Sequence, residues 1–180
     1  MATELIVNGD METGDPPSNW TLYDGGTGAS WSRESSEVHG DTYSGKLITG
    51  TAWGRVVNDF NPGAGGIGTT YAFGGWVKTS SATRAYMIIR DNNGQTNSPY
   101  HSGSGNWEFL SVQRKIAAGV TVVLFDLQHL TGGITSYWDD VTCIAITSLK
   151  QDTGTNKLSI KEFNGLASAS VKTINGLTNA

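Results

Sequence analysis

The sequence predicts an all-β sandwich or barrel followed by a short tail of different composition. Short apolar stretches recur from Glu4 to about Thr147, separated by clusters of Gly, Asn, Asp and Ser. Glycine occurs 24 times in 180 residues and charged residues make up only 16%, which disfavours a helix bundle or coiled coil. Six Trp, six Tyr and five Phe supply bulk for a packed core and argue against a disordered chain.

In chain order the expected strands are Glu4–Asn8, Asn19–Tyr23, Ala29–Arg33, Gly45–Thr49, Gly54–Phe60, Thr70–Lys78, Arg84–Asp91, Trp107–Arg114, Thr121–Leu130 and Ser136–Ala145. The separators Asp24-Gly25-Gly26, Asn61-Pro62-Gly63 and Asn92-Asn93-Gly94 are strong turn formers. Period two is clearest in the later strands. Val123, Phe125 and Leu127 share one face, with Val122, Leu124, Asp126 and Gln128 on the other. Ala85, Met87 and Ile89 alternate with Arg84, Tyr86, Ile88 and Arg90, and Tyr71, Phe73 and Val77 alternate with Trp76 and Lys78. A dry face backed by one that mixes aromatics with charge fits a sandwich that uses its outer surface.

The domain reading is a sandwich over residues 1–147 and a linker with a repeated tail over 148–180. The tail carries two copies of S-[IV]-K-x-[FI]-N-G-L, Ser159–Leu166 and Ser170–Leu177. Each Asn-Gly pair is a type I′ turn signal. Two such copies bury little apolar surface alone, so Ile160, Phe163, Leu166, Val171, Ile174 and Leu177 are the expected docking side chains.

A net charge of −4 argues against a nucleic-acid binder that works by bulk electrostatics. One cysteine, Cys143, excludes an intrachain disulfide framework and a zinc site on paired cysteines. Met1 to Asn8 has neither a basic n-region nor a long apolar h-region, so no secretory signal is expected. No run approaches the ~20 apolar residues of a membrane span, so no membrane partner is expected.

Four segments resemble calcium-containing carbohydrate-binding modules with a galactose-binding-like jelly roll. Leu5-Ile6-Val7-Asn8-Gly9-Asp10-Met11-Glu12 followed by Trp20 is similar to the opening L-x-x-N-G-D-F-E…W of that family. Tyr43-Ser44-Gly45-Lys46-Leu47 with Trp53-Gly54 is loosely similar to S-L-K-V-x-G…W-x-G. Phe73-Gly74-Gly75-Trp76-Val77-Lys78 resembles F-S-A-W-V-K, and Tyr137-Trp138-Asp139-Asp140-Val141 resembles the closing Y-I-D-D-V, with Trp138 in place of a smaller aliphatic. The segments keep the family's order over about residues 4–147.

The resemblance implies a structural Ca2+ where the first and last strands meet. Asp10, Glu12 and Asp139 become candidate ligands, with Asp140 the alternate to Asp139 and carbonyls near Gly40 and Ser44 completing the shell. It also implies a sugar platform on one sheet face. Trp53 falls where the family carries its stacking aromatic, and Arg84, Tyr86, Arg90, Asp126 and Gln128 form the outward set read from the alternation. Trp76 is a further candidate contact. The tail repeat resembles units at the ends of bacteriophage structural proteins, which implies a virion, built in a host cytoplasm, and docking to other virion proteins.

Catalysis is not expected. His39, His101 and His129 show no metal spacing. His39 and His101 lie in Gly/Ser-rich loops and read as solvated, while His129 reads as a satisfied, packed histidine. Cys143 shares a strand face with Val141 and Ala145 and reads as core. Gly63–Gly68 lacks the Lys-Ser/Thr of a phosphate loop, and Asp139 and Asp140 point to opposite strand faces. The leading expectation is a non-enzymatic virion protein, a capsid decoration or a tail or fibre component, that leaves glycan adhesion and homo-oligomerisation open. The alternatives are a carbohydrate-binding module of a polysaccharide-degrading enzyme and a small lyase or hydrolase on the same sandwich.

Overall fold

A computed structural model describes residues 4–63 and 66–146, together with four two-residue strands in the tail. The strands are β1 (Thr21–Asp24), β2 (Ser30–Glu34), β3 (Ser44–Ile48), β4 (Gly54–Phe60), β5 (Thr70–Lys78), β6 (Ala85–Asp91), β7 (Gly94–Asn97), β8 (Trp107–Lys115), β9 (Val123–His129) and β10 (Thr135–Ile146). They form two antiparallel five-stranded sheets. Sheet I runs β1-β4-β9-β6-β7 and sheet II runs β2-β3-β10-β5-β8. Among the described residues no α-helix is present. The fold is an all-β jelly-roll sandwich.

The inner faces follow the period-two pattern. Val56 of β4, Met87 and Ile89 of β6, and Phe125 and Leu127 of β9 meet Leu47 of β3, Phe73 and Val77 of β5, and Trp138 and Cys143 of β10. Phe73 and Phe125 touch across the layers at a centroid distance of 5.1 Å. Trp138 fills the place of a smaller aliphatic and is fully buried, its indole N–H donating to Ser136 Oγ at 2.9 Å. At Gly45 a Cβ would lie 1.9 Å from Trp31 Cη2, so glycine is required for that indole to enter the core.

Two elements differ from the sequence reading. Glu4–Asn8 is not a strand; it makes one isolated bridge, Glu4 to Ile144. The Leu5 N–H donates to the Cys143 carbonyl at 2.9 Å, while the Glu4 carboxylate accepts the N–H groups of Leu5, Ile6 and Cys143, so side-chain bonds take the place of a continued ladder. Asn8 and Met11 then take left-handed backbone (φ 58° each), which ends any extended run. The strand not foreseen is β7. It pairs with β6 from Asp91↔Gly94 to Ile88↔Asn97 around Asn92-Asn93, and its polar Gly-Gln-Thr-Asn sequence has no apolar alternation to reveal it.

The chain divides into two units, Met1–Ile146 and Thr147–Ala180. In the second, β11 (Glu162–Phe163) pairs with β12 (Leu166–Ala167), and β13 (Thr173–Ile174) with β14 (Leu177–Thr178). Phe163 stands opposite Leu166 and Ile174 opposite Leu177, the register of two tight hairpins. The expected docking residues Ile160 and Val171 lie outside the described residues.

Candidate functional site

The outer face of sheet I is built from three cross-strand rows. Val57, Asp126, Ile88 and Asn97 form the central row. Arg55, Gln128 and Tyr86 form the row on one side, and Asp59, Leu124, Arg90 and Gln95 the row on the other. Asp126 is completely buried although it points away from the core, because arginines from the two flanking rows close over it. Arg90 Nη2 lies 2.7 Å and Arg55 Nη1 3.7 Å from Asp126 Oδ2.

The 2.7 Å approach is an ion pair whose angle misses that of a hydrogen bond. Both Asp126 oxygens and the Nε atoms of both arginines therefore keep unmet hydrogen-bonding capacity. Burial pushes the Asp126 carboxyl above the usual carboxylate range, against the pull of Arg90 and then Arg55. Burial also lowers Arg55 from its ordinary value, against the attraction of Asp126.

Aromatic rings border this polar floor. The Arg55 guanidinium lies 5.2 Å from the ring centroids of both Tyr23 and Trp53, within cation–π range. Trp53 is half-buried and stands outside the core cluster. Its indole rests on Gly25, where a Cβ would come within 2.2 Å of Cε2, and its carbonyl accepts the Gly25 N–H at 2.9 Å. Beyond the floor Tyr86 meets Tyr100 edge-on at 5.0 Å; Tyr86 is buried and Tyr100 is 45% exposed.

The structure thus gathers five of the six expected ligand residues, Trp53, Tyr86, Arg90, Asp126 and Gln128, on one face. Arg84 is exposed just before β6 and stands apart from the arginine–carboxylate cluster. Arg55, Tyr23 and Tyr100 are site residues that the sequence reading missed. Alternation with Val56 marks Arg55 only as outward-facing; its role depends on the cross-strand neighbour Asp126, which the sequence does not show, and Tyr100 lies in a loop that carries no periodic signal.

The four expected metal residues do not assemble in this way. Asp139 is buried, and its Oδ2 accepts the backbone N–H groups of His39 and Gly40 at 2.9 and 3.1 Å. Its Oδ1 accepts the Asp140 N–H at 2.9 Å. Burial nevertheless pushes its pKa up to about 6. Glu12 Oε1 accepts the N–H groups of Thr42 and Tyr43. The two carboxylates therefore clamp the loop before β3 through amide donors, whereas calcium requires that loop to present oxygens. Asp10 is exposed, and Asp140 holds His39 Nδ1 at 2.6 Å. Among the described residues no three His, Cys, Asp or Glu side chains converge as a metal site.

The histidines need two corrections. His101 is completely buried rather than solvated, because its own loop satisfies the ring: Nδ1 accepts the Gly103 N–H at 2.8 Å and Nε2 lies 3.1 Å from Asn106 O. His129 is packed as expected but not satisfied, since neither ring nitrogen makes a hydrogen bond of normal geometry. Cys143 is buried, and burial raises its thiol pKa far above the ordinary value.

No protein-family model matches the sequence, and a search of curated proteins finds no match. Solved structures do match. The CBM22-1 xylan-binding domain of Paenibacillus barcinonensis Xyn10C aligns at a TM-score of 0.60 and 15% identity over 82% of this chain and 97% of its own. TmCBM61, solved with β-1,4-galactotriose, aligns at 0.59 and 14% identity over 81% of this chain and 100% of its own. The enzymatically active domain of tailspike protein 4 from bacteriophage CBA120 aligns at 0.64 and 18% identity over 78% of this chain. This chain spans only 21% of that tailspike chain. At these identities the likeness defines the fold: the protein has the β-sandwich of carbohydrate-binding modules.

Proposed function

We propose that the protein is a non-enzymatic glycan-binding module whose site is the outer face of sheet I. The observation that carries this reading is Asp126, a buried carboxylate on an outward-facing row, bracketed by Arg55 and Arg90 and bordered by Trp53 and Tyr86. Aromatic rings stack on the apolar faces of pyranoses, and guanidinium and amide donors bond their hydroxyls. Among the described residues the ion pairs of Asp126 are with two arginines, an arrangement suited to holding donors in place rather than to transferring protons. The xylan-binding and galactotriose-bound neighbours support the same ligand class. The test is retention of the full chain on soluble polysaccharides in affinity gels. Trp53→Ala should abolish retention without unfolding the protein; equal retention by the variant returns Trp53 to a packing role.

The reading extends to a bacteriophage virion, with the tail as the attachment to other virion proteins. Two observations favour it: the likeness to a phage tailspike domain, and the repeat that forms two hairpins, β11-β12 and β13-β14. A chain ending at Ile146 should fold but fail to join the particle. Normal incorporation would place the anchor elsewhere. It would favour the second reading, a binding module of a polysaccharide-degrading enzyme, which the same fold supports.

A further inference from the structure

The outer face of sheet II breaks the rule that an exposed antiparallel face is polar. One row on this face pairs Lys46, Tyr137, Lys78 and Trp107, and the next pairs Asp139, Trp76 and Phe109. Trp76, Trp107 and Phe109 stand outside the core cluster, and Phe109 is 54% exposed. These side chains contribute nothing to the sandwich interior.

Their arrangement is fixed by backbone and loop. Gly74 is buried beside Phe109, and a Cβ there would come 2.7 Å from Phe109 Cζ. The missing side chain lets the ring tip lean onto β5 instead of projecting from it. Trp76 meets Phe109 edge-on at 5.6 Å. On its other side the indole is stacked by His39 at 4.0 Å and an interplanar angle of 16°. His39 is held there by Asp140, and Trp107 abuts it edge-on at 5.7 Å. The result is a braced aromatic cluster with one open ring at its rim. Around it are hydrogen-bonding groups: the Lys78–Glu37 ion pair at 2.5 Å and exposed Ser111 and Gln113.

We propose that this cluster is a second glycan-binding site, taking one or two pyranose units of a β-linked polysaccharide against Phe109 and Trp107. The scale argues for a sugar over a protein partner. One open ring with two partly covered neighbours is far smaller than the roughly 800 Å² per partner of a stable protein interface. A polar rim close around an apolar ring matches a pyranose, which presents C–H groups on its face and hydroxyls at its edge. The site faces away from the arginine–carboxylate floor of sheet I, so the domain carries two platforms on opposite sides. Two weak sites on one domain then strengthen retention on a polymer through avidity.

The experiment uses the full chain with Trp53→Ala, Phe109→Ala and the double variant, in affinity gels containing soluble xylan or β-1,4-galactan and on an array of β-linked oligosaccharides. Phe109 is exposed, so its truncation leaves the fold intact, checked by the melting curve. Phe109→Ala is expected to weaken retention between about two- and tenfold, the range for one lost aromatic contact. The double variant is expected to lose more than either single one. A loss confined to Phe109→Ala would support this site and remove the one on sheet I. A loss confined to Trp53→Ala, with retention unchanged by Phe109→Ala, overturns the second site alone. No binding of any glycan by the wild type overturns both. A change of sedimentation from dimer to monomer on Phe109→Ala also overturns it, because the face would then be a contact between copies of the chain.

Discussion

Acidification should loosen the sandwich through His129. This side chain is completely buried at the end of β9, between Gly54 of β4 and Ala85 of β6. Burial lowers its pKa from 6.5 to about 4; the Thr131 backbone opposes the shift and the Arg84 charge adds to it. In the unfolded chain the imidazole binds its proton near pH 6.5, and in the folded protein only near pH 4. Between those values the unfolded state holds more protons, so stability rises with pH and is lost as pH falls from 6.5 towards 4. A gap of about 2.5 pH units corresponds to about 3 kcal/mol.

Asp139 works in the opposite direction. Burial raises its pKa from 3.8 to about 6, so acidification across that window favours the folded state by a similar amount, about 3 kcal/mol. The wild-type profile is therefore flattened by buried groups of opposite sign, the raised Asp126 carboxyl acting in the same direction as Asp139. The difference between wild type and His129→Leu isolates the histidine, because Asp139 and Asp126 are common to both. Denaturant unfolding at several pH values should show the variant gaining on the wild type by about 3 kcal/mol between about pH 7 and about pH 4. Parallel profiles would refute the reasoning and would mean that the ring finds a solvent path or a partner on protonation.

Three other outcomes follow from particular contacts. Asp126→Asn should destabilise the fold by about 2–4 kcal/mol, read by denaturant midpoint, because two half-buried guanidiniums lose their counter-charge; a neutral effect would mean that both arginines swing out to water. Gly25→Ala should displace the Trp53 indole and weaken glycan retention several-fold while the melting temperature changes little, since Gly25 is exposed and the atom it meets belongs to a movable side chain. The melting temperature should be the same in excess chelator and in added calcium, because Glu12 and Asp139 are occupied by loop amides; a clear rise with calcium would show that the loop turns its carbonyls inward.

Much of the sandwich was legible because burial on one face leaves a period-two record. Gly54–Phe60 and Thr70–Lys78 came out with the bounds the structure has, and in both the alternate residues pack inward. Glu4–Asn8 was misread because its apolar residues satisfy the pattern of a strand. A carboxylate two residues before Ile6 takes its amides, and Asn8 turns the chain, and neither fact shows in hydrophobicity. His101 was misread for a related reason: a Gly/Ser-rich loop can bury a ring when its own backbone supplies the partners. The site was legible where alternation exposed it, at Tyr86, Arg90, Asp126 and Gln128. It was hidden where a cross-strand neighbour decides the role, since Arg55 matters only because β4 lies beside Asp126 of β9.

On the proposed reading, the burial of Asp126 would prepare this face for a flexible polysaccharide. A long arginine loses rotamer freedom when it binds, and a free surface guanidinium bears that cost at the moment of contact. Here Arg90 and Arg55 are drawn to the carboxylate beneath them, and Arg55 lies additionally over Tyr23 and Trp53. Much of the ordering is therefore completed on folding, so the donors would already be in place for the proposed ligand. The carboxylate adds specificity of position rather than charge, since its field holds the two arginine heads over the central row between Val57 and Ile88. Replacing Arg90 by Lys tests this point. A lysine keeps the charge but loses the planar fork, so retention should fall while the response to salt stays unchanged; full retention would mean that charge alone, and not the held geometry, does the binding.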